Sequence, residues 1–357
     1  MSNTNEIKFG KTVSINEAEA LITSVPQNRF HLRGEPGIGK SSMLERIGKK
    51  LGLPVAYIDV PNMDLGDIAM PVVDHQTRTT KYYPNSRFQF HTGQPVVIML
   101  DEFSKGSKPV KDMLHPLLEV VNPRLGDVPV PKGSVIFSTG NLSTDGVGDN
   151  LAAHTRARLT TVTVRKPSAK EWLEWAVPKG IEPEVCAWVH RYEQVLASYL
   201  DGGQDDNPYI FNPRKQQDSY VCPRTLELAS NIVSRRTQFS SDALIAALTG
   251  VIGEAGARDM QAFIAYADQL PTKEAIKASP KTAPLPTMPG ACAVTVFSLV
   301  SSAEKSNFEA YMEYVERMEM EWQAVFAVNI AKTAGKQSIA FSSPKFANWL
   351  AHNQDVL

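Results

Sequence analysis

Cysteine is scarce in this chain, and its three copies stand too far apart to build anything together. Cys186, Cys222 and Cys292 share no C-x-x-C spacing and have no histidine cluster beside them, which argues against a zinc site or a disulfide framework. That usage fits a reducing compartment, and the expectation is a soluble, cytoplasmic protein. Net charge is lacking too. The 37 Lys and Arg residues against 38 Asp and Glu leave −1, so no global basic field draws the chain to nucleic acid, and contact with DNA or RNA would need a local patch. No apolar run approaches the length of a membrane span, and residues 1–8 are polar, without the apolar core of a signal peptide. Neither membrane insertion nor secretion is expected. Length, by contrast, is ample: 357 residues suffice for two domains, or for one large α/β domain with a helical companion.

The richest local text is Gly34, Glu35, Pro36, Gly37, Ile38, Gly39, Lys40, Ser41 and Ser42. It matches G-x-x-x-x-G-K-S/T between a strand pattern and a helical one. Such a loop cradles phosphates: its glycines let consecutive amides point at one phosphate, Lys40 reaches the β/γ oxygens, and the Ser41 hydroxyl is free to ligate magnesium.

Around this loop the first half carries five short β-rich runs, at 29–33, 55–60, 96–101, 134–139 and 160–164. Most are nearly continuous in apolar or β-branched residues, as strands covered on both faces are, and helical patterns alternate with them. The expected fold class is therefore α/β, a parallel five-stranded sheet with helices on both faces, over residues 1–166. Pro116 should kink or split the helical stripe of Val110, Leu114, Leu117 and Leu118. Beyond residue 166 helices dominate: an all-helical lid is expected over 167–271 and a mostly helical C-terminal extension over 272–357. Ser168 and Glu171 read as a capping box, Pro223 as a first helical residue, and 308–330 as one long amphipathic helix. Trp172, Trp175 and Trp188 read as helix core.

A phosphate loop alone does not tell a kinase from a hydrolase, and the second acidic element decides. The strand at 96–100 ends in Asp101 and Glu102 at the carboxyl edge of the sheet, beside the loop. Asp101 would hold magnesium, directly or through water, while Glu102 would orient and deprotonate the attacking water. A kinase has no use for such a base, so hydrolysis is favoured. Asn141, after the next strand, is suited to position the lytic water or sense the γ-phosphate. Arg156 and Arg158 stand just before a strand, and a cationic fork there suits a finger delivered to a neighbouring subunit's nucleotide. Arg224, opening a helix in the second half, is suited to reach back over the phosphates.

These five elements, in this order, resemble the AAA+ ATPases and, within them, the MoxR-like branch. The resemblance rests on GEPGIGKSS, VVIMLDEFSKG, STGNLSTDGVGDNLAAHTRARL and VCPRTLELAS, and it covers about residues 12–270. Residues 62–67 with 72–83 look like the hairpin such proteins insert in the second helix, which faces the central pore or the partner. Ser104 replaces the family's usual asparagine, and its single finger arginine becomes Arg156 or Arg158, alignment on Leu159 favouring Arg158. The resemblance implies binding of ATP and Mg2+ and a homo-oligomeric ring, commonly a hexamer. It also implies chaperone-like remodelling of a protein client, often one with a von Willebrand factor A-type (VWA) domain. Two alternatives stand beside it: a McrB-like, nucleic-acid-associated NTPase motor working with a nuclease, and an ATP-gated scaffold whose turnover is incidental.

Overall fold

In the computed structural model, which describes residues 11–142 and 151–353, the first half runs α1 (Ile15–Ser24), β1 (Phe30–Arg33), α2 (Met43–Leu51), β2 (Val55–Asp59) and α3 (Leu65–Ile68). It continues with β3 (Ala69–Asp74), β4 (Thr79–Pro84), β5 (Val97–Asp101), α4 (Lys108–Leu114), β6 (Arg124–Leu125), β7 (Val128–Pro129), β8 (Val135–Gly140), α5 (Ala153–Arg156) and β9 (Thr160–Thr163). Part of the quoted finger text, residues 143–150, lies outside the described residues.

Five of these strands form one parallel sheet in the order β2-β5-β8-β1-β9. The central strands β5 and β8 lack polar alternation because both faces are covered. Phe30, Leu32, Val97, Met99 and Phe137 pack with Ala18, Ile22, Met43 and Ile47 of α1 and α2. On the opposite face, Ile58, Ile98, Leu100 and Ile136 pack with Phe103, Val110 and Leu114. The register sets Asp59 opposite Asp101 and Arg33 opposite both Gly140 and Thr163, so the carboxyl ends of the strands form one edge. This is an α/β architecture, a parallel sheet covered by helices on both faces.

Pro116 splits its helix as expected: α4 ends at Leu114 and a tighter turn, His115–Leu118, continues the chain. The insert forms an antiparallel ribbon of β3 and β4 with Pro71 opposite Tyr82. Met70, Val72, Val73, Tyr82 and Tyr83 are all exposed on it. Tyr82 is tied to the β6–β7 turn at both backbone groups. Its N–H donates to Asp127 Oδ2 (2.7 Å) and its carbonyl accepts from the Asp127 N–H (3.0 Å).

Residues 167–357 form the second unit of the chain. Its helices are α6 (Ala169–Lys179), α7 (Pro183–Arg191), α8 (Pro223–Val233), α9 (Ser241–Gln269), α10 (Lys273–Ala278), α11 (Pro289–Ser302), α12 (Phe308–Val315), α13 (Met320–Lys332), α14 (Gln337–Phe341) and α15 (Pro344–His352). Ser168 and Glu171 cap α6 reciprocally, and Pro223 is the first residue of α8. No break in packing marks residue 271. Phe297 and Val300 of α11, Tyr311 of α12 and Phe326 of α13 share one apolar cluster with Trp188, Leu226 and Phe263.

The single helix expected over 308–330 is two. The Met318 N–H turns back onto the Val315 carbonyl, Glu319 adopts extended backbone (φ −60°, ψ 151°), and Gln323 Nε2 donates to the carbonyls of Glu316 (3.1 Å) and Met318 (2.8 Å). The break thus has its own cap, and the apolar period carries across it. By contrast, α9 runs on across a kink at Gly253 (φ 76°, ψ 167°).

Candidate functional site

The phosphate loop begins where β1 ends. Gly34 lies so close to the edge strand that a Cβ there would sit 2.5 Å from the Val164 carbonyl oxygen, and Gly39 adopts φ 99°, a backbone that side chains rarely tolerate. Between them, buried Ile38 anchors the loop in the core it shares with Met43 and Leu44. Lys40 is buried, with Nζ donating to the carbonyls of Gly34 (2.7 Å) and Glu35 (2.8 Å), so its cation lies across the loop. Ser42 Oγ donates to the Gly39 carbonyl at 2.7 Å. The loop hands over directly to α2, whose N-terminus carries a partial positive charge.

The two residues expected to hold a metal come together, although 60 positions separate them: Ser41 Oγ lies 3.3 Å from each carboxylate oxygen of Asp101. A hydroxyl and a carboxylate form an all-oxygen donor pair, which fits a hard cation such as Mg2+. Two further hydroxyls reach the same carboxylate. Tyr57 donates to Oδ2 at 2.8 Å, and Thr139 donates to Oδ1. The Tyr57 phenol is held well above its ordinary range, first by loss of water around it, then by its bond to Asp101 and by the nearby charges of Asp101, Asp59 and Glu102.

Glu102 follows with a left-handed backbone (φ 48°, ψ 39°), uncommon outside glycine and asparagine, and its N–H donates to Thr139 Oγ1 at 3.0 Å. Its carboxylate pairs with Lys105 Nζ at 2.6 Å. Asn141, half-buried, stands one residue beyond β8 on this edge. Tyr57, Thr139 and Lys105 were not singled out in the sequence. Thr139 lies inside the quoted strand two residues before Asn141, whereas Tyr57 needs the register: it pairs with Met99, and its phenol leans two residues along β5 to reach Asp101.

Arg156 and Arg158 lie ahead of β9, whose first residue pairs with the first residue of β1. They therefore stand at the amino edge of the sheet, opposite the phosphate loop. Arg158 Nε pairs with Glu119 Oε1 at 2.8 Å, and its NH1 donates to the His154 carbonyl at 2.9 Å. Arg156, ending α5, is exposed. The alignment preference for Arg158 thus meets a competing contact, and Arg156 is the more open cation. Arg224, the second residue of α8, is exposed in the other unit.

No protein-family model matches this sequence, and no curated protein sequence matches it. Solved structures do. The RuvB Holliday junction branch migration motor of Thermotoga maritima is 12% identical, covering 70% of this chain and 68% of that one at a TM-score of 0.35. A provisionally assigned ATPase from Cytophaga hutchinsonii is 12% identical, covering 67% of this chain and 81% of that one at a TM-score of 0.34. Likeness at that identity and TM-score carries no argument, and the chemistry rests on the residues described above. Among the described residues, no helix is long and apolar enough to cross a membrane.

Proposed function

We propose that this chain is a MoxR-like AAA+ ATPase that hydrolyses ATP with Mg2+ at the subunit interfaces of a homo-oligomeric ring and uses the turnover to remodel a protein partner. The observation that carries the proposal is the meeting of Ser41 with Asp101 at 3.3 Å, on the edge where Lys40 and Glu102 also stand. A phosphate cradle, an oxygen donor pair and a carboxylate base on one edge are the parts a nucleotide hydrolase needs.

The loop amides and Lys40 would bind the β- and γ-phosphates, and Ser41 and Asp101 would hold the metal. When bound, Mg2+ neutralises charge on the phosphates. Glu102 would take the proton of the attacking water once its carboxylate leaves Lys105, and Asn141 would orient that water. Arg156 or Arg158 of a neighbouring copy would lend positive charge, consistent with their position on the sheet edge away from their own loop. Arg224 is proposed as a second cation acting in cis from the helical unit. A hexamer and a VWA-type client follow from the family resemblance alone.

Binding of fluorescent ATP and GTP analogues, followed by phosphate release, tests the proposal. Wild type should prefer ATP and turn it over, and Lys40→Ala should bind neither nucleotide. Tight binding retained by Lys40→Ala would overturn the assignment of the loop.

A further inference from the structure

Asp101 accepts from three hydroxyls at the sheet edge, and these partners are not equivalent. A carboxylate offers about four lone-pair directions, two on each oxygen. Thr139, the penultimate residue of β8, donates to Oδ1, and Tyr57 donates to Oδ2 at 2.8 Å. Ser41 Oγ lies 3.3 Å from both oxygens, a longer and divided contact. The short bonds come from strands flanking β5 on either side, β2 and β8, whose register is fixed by the sheet. The long one comes from the phosphate loop.

We infer that Tyr57 and Thr139 are positioning residues that clamp the Asp101 carboxylate from both sides, so that Ser41 can exchange it for a divalent cation without the carboxylate turning. The inference deepens the ATPase proposal and rests on it. The geometry is specific. Tyr57 sits opposite Met99, and strands rise about 3.3 Å per residue, so the phenol must lean about 6.6 Å along the strand to reach Asp101. A tyrosine with half its surface exposed (51%) holds that course although water would satisfy its hydroxyl equally well. Held on one lone pair of each oxygen, the carboxylate keeps the others aimed at the phosphate loop. Fixing a ligand by hydrogen bonds from behind is how ligating groups are oriented in metal sites generally.

The test titrates Mg2+ against binding of a fluorescent, non-hydrolysable ATP analogue to the full chain, in wild type, Tyr57→Phe, Thr139→Val, Thr139→Ser and Asp101→Asn. Removing one hydroxyl that donates to the carboxylate should raise the Mg2+ concentration for half-maximal effect about three- to tenfold in Tyr57→Phe and Thr139→Val. Thr139→Ser keeps the donor and should stay at the wild-type value. Analogue binding without Mg2+ and the thermal midpoint should be unchanged in Tyr57→Phe. If Asp101→Asn shifts the Mg2+ dependence and Tyr57→Phe does not, the clamp is refuted while the metal site stands. If wild type binds the analogue without any Mg2+ dependence, the metal site falls and the clamp with it.

Discussion

Glu102 combines a left-handed backbone, costing on the order of 1–3 kcal/mol, with a carboxylate committed to Lys105 at 2.6 Å, and strain of that kind persists where the surrounding structure holds a residue for use. Glu102→Gln should bind ATP and lose turnover by about 10² to 10⁴, the usual worth of a general base, which single-turnover phosphate release will measure. Undiminished turnover would remove Glu102 from the chemistry. At this scale the sequence was most legible where chemistry dictates both residue type and spacing. The meeting of Ser41 with Asp101 could be anticipated because the loop text and the acidic strand end are both local patterns with few alternatives. Tyr57 and Lys105 could not. Tyr57 acts through a register between strands about 40 residues apart, and Lys105 through a turn whose shape depends on Glu102 itself. The choice between Arg156 and Arg158 also depended on a distant residue, since Glu119, on another loop, engages one of them.

Elements were legible by period and less so by boundary. The central strands β5 and β8 could be read from nearly unbroken apolar runs because helices cover both faces. The run from Phe308 to Lys332 shows the converse, because its apolar stripe continues across a break closed by the side chain of Gln323. A capped turn between two helices packed on the same core leaves the period intact, and period was the only signal available. In α9 a glycine made the difference. Gly253 adopts φ 76° with ψ 167°, a region essentially closed to other residues, although the space around it is open, with Ser219 O the nearest atom at 3.5 Å from a built Cβ. Gly253→Ala should therefore destabilise the helical unit through backbone strain, by about 1–3 kcal/mol in a denaturant titration. An unchanged midpoint would mean that the kink relaxes into continuous helix at little cost.

For the whole molecule, the chain divides after Lys166, where strands give way to helices, and helices α11 to α15 share one apolar core with the preceding helices. Composition hinted at an appendage, but shared packing is set by contacts across long sequence separations and leaves no local trace. The ring proposal is tested by mixing subunits. Arg156→Ala and Arg158→Ala should each be combined with Glu102→Gln, which keeps both arginines and lacks the base. The variant missing the true finger should regain turnover in the mixture, since a finger in trans is worth about 10³ to 10⁵ in rate. No recovery with either partner, at any ratio, would refute a shared site. The ribbon of β3 and β4 has an edge chemistry of its own. Both backbone groups of Tyr82 face outward to Asp127, so its opposite number, Pro71, turns its backbone nitrogen to the outer rim of β3, where it has no hydrogen to give. One rim is tied at Tyr82 and the other lacks a donor at Pro71, which disfavours lengthening this ribbon sideways. What the ribbon then presents to its surroundings is side chains rather than free backbone, Met70, Val72, Val73, Tyr82 and Tyr83 among them.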